Sequence, residues 1–157
     1  MSLELEIERK IILKRLPDIG YDDIIKIDQY YFKNENNEWE RYRKSKIGDK
    51  IQYFKTIKKG LREGVCMEDE SNISKKEFKK NVKKCDRKIS KTRHIKKVEN
   101  DLFWEVDVFN DMTLIMAEIE IPSEDYEVTY PQWIEDNIIS DVTNIREFSN
   151  RRMSEKI

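Results

Sequence analysis

Glu6-Ile7-Glu8-Arg9-Lys10 is the stretch that decides the fold of this chain. Strand alternation puts Glu6, Glu8 and Lys10 on one face and Ile7, Arg9 and Ile11 on the other, so the charged face is the one that needs explaining. An ordinary half-buried strand buries its aliphatic face and leaves its charges to water. Recurrence argues against that reading. Arg41 and Arg43 alternate in Trp39-Glu40-Arg41-Tyr42-Arg43, and Lys91 and Arg93 in Lys91-Thr92-Arg93. Glu105 and Asp107 do so in Trp104-Glu105-Val106-Asp107-Val108, and Glu118 and Glu120 in Ala117-Glu118-Ile119-Glu120-Ile121.

Around these doublets the chain reads as strands with few helices. Alternation predicts a long strand over residues 3–13, stopped near Pro17, and successive antiparallel strands over 28–32, 38–44 and 51–58. Asn34-Glu35-Asn36-Asn37 and Gly48-Asp49 supply the turns between them. A further strand is expected over 65–71. Ser74 and Glu77 form a capping box that starts a helix, with Phe78, Val82 and Cys85 on one face and lysines on the other. Residues 88–98 and 101–109 read as a hairpin, and 112–121 as the next strand. Ser123 is positioned to cap a short helix after Pro122, and Asn144 with Glu147 to cap a C-terminal helix carrying Ile145, Phe148 and Met153. The expected class is mainly β (α+β). About eight strands allow the sheet to close into an antiparallel barrel with a small interior and flanking helices.

Composition narrows the function. A chain of 157 residues suits one domain, residues 1–157, with a real core. Charged residues make up 40%, yet 31 basic and 32 acidic side chains nearly cancel, which argues against a general nucleic-acid surface and makes any polyanion site local. No apolar run approaches the length of a membrane span, and the first residues enter a charged strand, so no membrane segment or signal peptide is expected. Cys66 and Cys85 lack a CxxC spacing and read as free cytosolic thiols, so a cytoplasmic protein is expected.

If the doublets face the barrel interior, their charges need one another, water and a charged ligand, because desolvating an ion costs several kcal/mol even after relaxation. Carboxylates on some strands offer hard oxygen ligands for Mg²⁺ or Mn²⁺, and arginines and lysines on others match phosphate oxygens. The pattern describes a site for a metal-bound polyphosphate. The bland alternatives are exposed carboxylates on amphipathic strands and cross-strand salt bridges. His94 falls on the face opposite Arg93 and reads as a packed or surface histidine; Trp39, Trp104 and Trp133 read as packing residues.

The ordered set resembles the CYTH domains, the triphosphate tunnel metalloenzymes, over nearly the whole chain. Glu6-Ile7-Glu8-Arg9-Lys10 matches the Glu-x-Glu-x-Lys signature of that family. Asp28-Gln29-Tyr30-Tyr31 resembles its second strand, Arg41-Tyr42-Arg43 its Arg-x-Arg, and Lys55-Thr56-Ile57-Lys58 the strand ending in a phosphate-facing lysine. Lys91-Thr92-Arg93, Glu105-Val106-Asp107-Val108-Phe109 and Ala117-Glu118-Ile119-Glu120-Ile121 follow in the family's order. Asp141-Val142-Thr143 with Phe148-Ser149-Asn150 resembles the C-terminal segment that plugs or borders the tunnel.

The resemblance implies a closed eight-stranded barrel and metal-dependent hydrolysis of a triphosphate, most simply inorganic triphosphate to diphosphate and phosphate. It implies metal ligands at Glu6, Glu8, Glu118 and Glu120, and triphosphate contacts at Lys10, Arg41, Arg43, Lys58, Lys91 and Arg93. Lys10 is the catalytic candidate, to position or deprotonate the attacking water. Glu68, Glu70, Glu105 and Asp107 are further tunnel carboxylates. The match departs at Cys66, which stands where the family usually has an arginine, and at Ile145, usually polar; a one-residue slip in the strand of Glu68 and Glu70 would exchange lumen and outside. A class IV adenylyl cyclase, a thiamine triphosphatase and a non-hydrolytic polyphosphate-binding module remain alternatives, with nucleoside or thiamine triphosphate as other ligands. No nucleic-acid partner is expected, and a homodimer is left open.

Overall fold

The computed structural model of the chain describes residues 2–62 and 65–156; Glu63 and Gly64, which precede the strand of Glu68 and Glu70, lie outside them. Among the described residues nine strands form one sheet: β1 (Ser2–Leu13), β2 (Asp23–Lys33), β3 (Trp39–Ile47), β4 (Lys50–Arg62), β5 (Val65–Asn72), β6 (Arg87–Lys97), β7 (Phe103–Phe109), β8 (Ile115–Glu120) and β9 (Ile138–Asp141). Spatial order is β5-β4-β3-β2-β6-β7-β8-β1-β9, and β5 also pairs with β1. That extra pairing closes eight antiparallel strands into a barrel. The length of β1 makes closure possible: its first half, Ser2 to Ile7, pairs with β5, and Glu8 to Ile12 pairs with β8. The short β9 was not expected from sequence; it pairs with Ile11 to Leu13 on the edge of β1 opposite β8.

Register sorts the faces, since directly opposed residues share one. Lys10 stands opposite Glu118, Glu8 opposite Glu120, Arg93 opposite Asp107, and Lys58 opposite Glu68. Cys66 opposes Glu6, so Glu68 and Glu70 point inward and the slipped register does not occur. The hydrophobic layer therefore wraps the barrel from outside. Ile7, Ile11, Trp104, Val106, Ala117 and Ile119 are all at most 6% exposed on the outer faces of β1, β7 and β8. They are covered by the chain after β8 and by α2 (Gln132–Glu135), whose Ile134 is fully buried. Trp104 meets Trp133 edge-on with ring centroids 6.4 Å apart. On the other side of the wall α1 (Lys75–Val82) begins at Ser74, whose hydroxyl accepts the Glu77 amide, and lays Phe78 against Tyr30 and Tyr53.

A second apolar cluster lies inside the barrel at one end. Tyr31, Ile89, Phe109 and Met116 point inward and pack on Met153 of α3 (Asn150–Ser154), flooring the lumen. Two expected helix starts are corrected. Ser123 bonds Asp125 in a turn with no helix following directly, because the residues after it serve as the outer cover. Asn144 adopts a left-handed φ of 65° and cannot begin a helix; the cap of α3 is Ser149, whose side chain accepts from the Arg152 amide. Among the described residues no helix is long and apolar enough to cross a membrane.

Trp104 is the largest fully buried side chain of the outer layer. Trp104→Ala is expected to cost about 3–5 kcal/mol, read as a lowered midpoint in chemical denaturation with an unchanged slope.

Candidate active site

Alternation in β1 through β8 brings the charged doublets into one cavity of about 460 Å³. Glu6, Glu8, Lys10, Arg41, Arg43, Lys58, Glu68, Glu70, Lys91, Arg93, Glu105, Glu118 and Glu120 all line it. Asp107 lies just beneath, with no exposed surface. Every site residue picked out from sequence is thus placed in or directly under the lumen. Sequence reasoning gave no role to Gln29, Tyr31 or Thr56, although each sits two residues along the inward face from a neighbour that also points in. Trp39 also lines the lumen, where the Arg151 guanidinium lies 4.5 Å from its ring centroid. It was expected only to pack.

Charge is arranged in interlocking pairs. Asp107 Oδ2 is 2.7 Å from Lys91 Nζ, and its two oxygens accept from Arg93 Nε at 2.9 Å and Nη2 at 3.0 Å. Arg93 Nη1 also reaches Glu105 Oε2 at 3.0 Å. Burial would raise the Asp107 carboxyl, but Arg93 and Lys91 outweigh it and hold the group well below the usual carboxylate range. Burial pulls Lys91 down to about 7 against the attraction of Asp107. Across the lumen Lys58 Nζ lies 3.1 Å from Glu6 and 3.5 Å from Glu68. Arg41 Nη2 lies 3.3 Å from Glu70 and donates to Thr56 at 3.1 Å.

Lys10 sits between two acids, its Nζ 3.6 Å from both Glu8 and Glu118. Burial would lower its pKa, but Glu118 and Glu8 outweigh it and raise it, so Lys10 is an ammonium in the ligand-free lumen. The C-terminal segment holds this lysine. Its Nζ donates to the Phe148 carbonyl at 3.2 Å, and its backbone N–H donates to Thr143 Oγ1 at 2.9 Å.

The acids on β1 and β8 suit a hard divalent cation by donor chemistry: Glu6, Glu8, Glu118 and Glu120 offer only carboxylate oxygens. Glu8 stands directly opposite Glu120, a like-charge pairing that disfavours the empty barrel. Glu118 Oε1 is buried without a hydrogen-bond partner among the described residues. Both features fit a cation site. The carboxylates do not yet converge: among the described residues no three acids stand together as a ligand cluster, and Lys10 lies between Glu8 and Glu118.

Comparison with solved structures gives the same architecture. An inorganic triphosphatase superposes with a TM-score of 0.63 at 25% identity, over 97% of this chain and 95% of its own. A protein of Pyrococcus horikoshii gives 0.62 at 18% identity over 76% and 80%. A candidate adenylyl cyclase from Hippeastrum, for which a dominant triphosphatase activity is described, gives 0.55 at 15% identity over 75% and 80%; these two likenesses concern the fold. No family model and no curated protein matches the chain by sequence.

The acids that lack full compensation set a pH dependence. Burial, then the charge of Glu118, pushes Glu8 up to about 8; burial, then Glu6 and Glu105, pushes Glu120 up to about 7. A carboxyl raised in the folded state favours folding when protonated, so its contribution is full below the unfolded value and is lost as pH rises through the folded one. Asp107 and Glu118, which are depressed, act only at lower pH, and Lys91 only from about 7 upward. The ligand-free melting temperature is expected to fall from about pH 5 to about pH 7. Scanning calorimetry of Glu8→Gln should find a flatter slope and a higher melting temperature at neutral pH; parallel profiles for the two proteins would remove Glu8 as the cause.

Proposed function

We propose that the chain, which has the fold of an inorganic triphosphatase 25% identical to it, is one of the triphosphate tunnel metalloenzymes, the CYTH family, and hydrolyses inorganic triphosphate to diphosphate and phosphate inside the barrel, with Mg²⁺ or Mn²⁺ as cofactor. The observation that carries the reading is the gathering of carboxylates and cations around one cavity of about 460 Å³. Glutamates come from the paired strands β1 and β8, and cations from β3, β4 and β6 face the same space. An ordinary salt-bridge network does not need such an interior. A triphosphate chain with its metal matches both halves.

Arg41, Arg43, Lys58, Lys91 and Arg93 bind the phosphate oxygens, exchanging intramolecular partners for ligand. Glu6, Glu8, Glu118 and Glu120 would hold the divalent ion, which supplies neutralisation of phosphate charge and a water of lowered pKa. Lys10, an ammonium in the ligand-free lumen, stands among these acids where it can orient the attacking water or a phosphate oxygen. The apolar floor of Tyr31, Ile89, Phe109, Met116 and Met153 ends the polar lumen and excludes water from that side.

The test is a substrate panel of inorganic triphosphate, ATP and thiamine triphosphate with Mg²⁺ and Mn²⁺, with products identified by phosphorus NMR. Diphosphate and phosphate from inorganic triphosphate are expected; cyclic AMP from ATP would move the chain to the cyclases, and binding without turnover to the non-hydrolytic modules. Glu8→Gln and Glu120→Gln should each lower turnover by roughly 10²–10³ with the fold intact by circular dichroism. Lys10→Ala should lower kcat far more than it raises KM, because its interaction matters chiefly in the transition state. A raised KM with kcat unchanged would make Lys10 a phosphate clamp alone.

A further inference from the structure

Arg43 differs from the other lumen cations. Lys10, Arg41, Lys58, Lys91 and Arg93 each have a carboxylate within ion-pair distance. Among the described residues Arg43 has none. Its guanidinium is received by a neutral side chain: Gln29 Oε1 accepts from Arg43 Nε at 2.8 Å and from Nη2 at 2.5 Å. Gln29 has no exposed surface. Its Nε2 donates to the Tyr31 hydroxyl at 2.8 Å and lies 3.5 Å from Asn150 Oδ1, which itself accepts from Lys91 Nζ at 2.9 Å. Both ends of the amide are thus committed, which leaves it one orientation.

An acid at position 29 would make the same two hydrogen bonds to Arg43 and cancel its charge. The amide makes the bonds without cancelling it. Burial and the repulsion of Arg41 and Arg93 accordingly pull Arg43 down to about 9 against the weaker attraction of Tyr31 and Glu70, as befits a desolvated cation with no carboxylate within ion-pair distance among the described residues. Such a charge is costly in an empty protein and favourable only with an anion beside it.

We propose that Gln29 is a positioning and specificity residue, which fixes the Arg43 guanidinium against the wall of the lumen while leaving its charge for an oxyanion of the bound triphosphate. The inference rests on the proposed function and adds to it how phosphate is preferred over the protein's own carboxylates. Nη1 of Arg43 has no protein acceptor among the described residues, and Arg43 lines the cavity, so the free edge of the fork is open to ligand. Through Asn150 the same relay reaches Lys91, a second cation assigned to the ligand.

The test is Gln29→Glu, which preserves shape and both bonds and supplies the counter-charge. Calorimetric titration with inorganic triphosphate, without divalent metal, should give a Kd raised roughly 10- to 100-fold, the loss of one charge-assisted phosphate contact. The ligand-free melting temperature should hold or rise. Steady-state kinetics should place the change in KM, with kcat kept within a few-fold; a merely structural role would lower stability and not separate KM from kcat. If Gln29→Glu does not fold, Gln29→Met removes the acceptor without adding charge and should raise Kd several-fold. Triphosphate binding by the unaltered protein and by the variants alike would overturn this inference alone. No triphosphate binding by the unaltered protein would overturn the proposed function and the inference with it.

Discussion

Charge held out of bulk water is the constraint on which the rest of the structure depends. Asp107 has no exposed surface, and Lys91 and Arg93 are at most 8% exposed beside it. Breaking such a set by removing one partner costs about 3–5 kcal/mol, whereas a complete set roughly balances its own desolvation. The lumen is therefore tolerable only if every strand delivers its charges in register with the next. That requirement explains why alternation is strict along β1, β3, β6, β7 and β8, and why Lys10 falls opposite Glu118 and Arg93 opposite Asp107.

Turning the charges inward forces the apolar faces outward, where they cannot be left to water. The covering elements supply what a core usually supplies from within. α2 and the irregular chain after β8 close over Trp104, Val106 and Ile119, and α1 closes over Tyr30 and Tyr53. The irregular path of residues 121–131 follows from this role: it spreads Ile121, Tyr126, Val128 and Tyr130 over the barrel wall as no single short helix would.

The C-terminal segment links fold to site. Val142 and Thr143 bond the backbone of Lys10, Phe148 accepts from its ammonium, Asn150 accepts from Lys91, and Met153 completes the floor. The two ends of the chain thus meet at the group assigned to chemistry. In the ligand-free state most cations are paired with acids, Glu8 stands opposite Glu120, and Arg43 rests on an amide. Under the proposed function, a triphosphate with its metal would relieve these strains together.

The sequence by itself determined which residues face inward, because side-chain alternation has a period of two and is a local property of a strand. It was enough to collect Glu6, Glu8, Lys10, Arg41, Arg43, Lys91, Arg93, Glu118 and Glu120 on one face and to anticipate a closed barrel. Only tertiary structure decided the register between strands, which fixed Glu68 and Glu70 as inward. It also decided the pairing of Asp107 with Lys91 and Arg93, and the contacts of Gln29, whose neighbours Arg43 and Asn150 lie 14 and 121 residues away. The strand β9, the turn at Ser123 and the cap at Ser149 escaped the sequence for the same reason. Each is shaped by what it covers or pairs with, and hydrogen bonds and packing between distant segments leave no period in the chain that makes them.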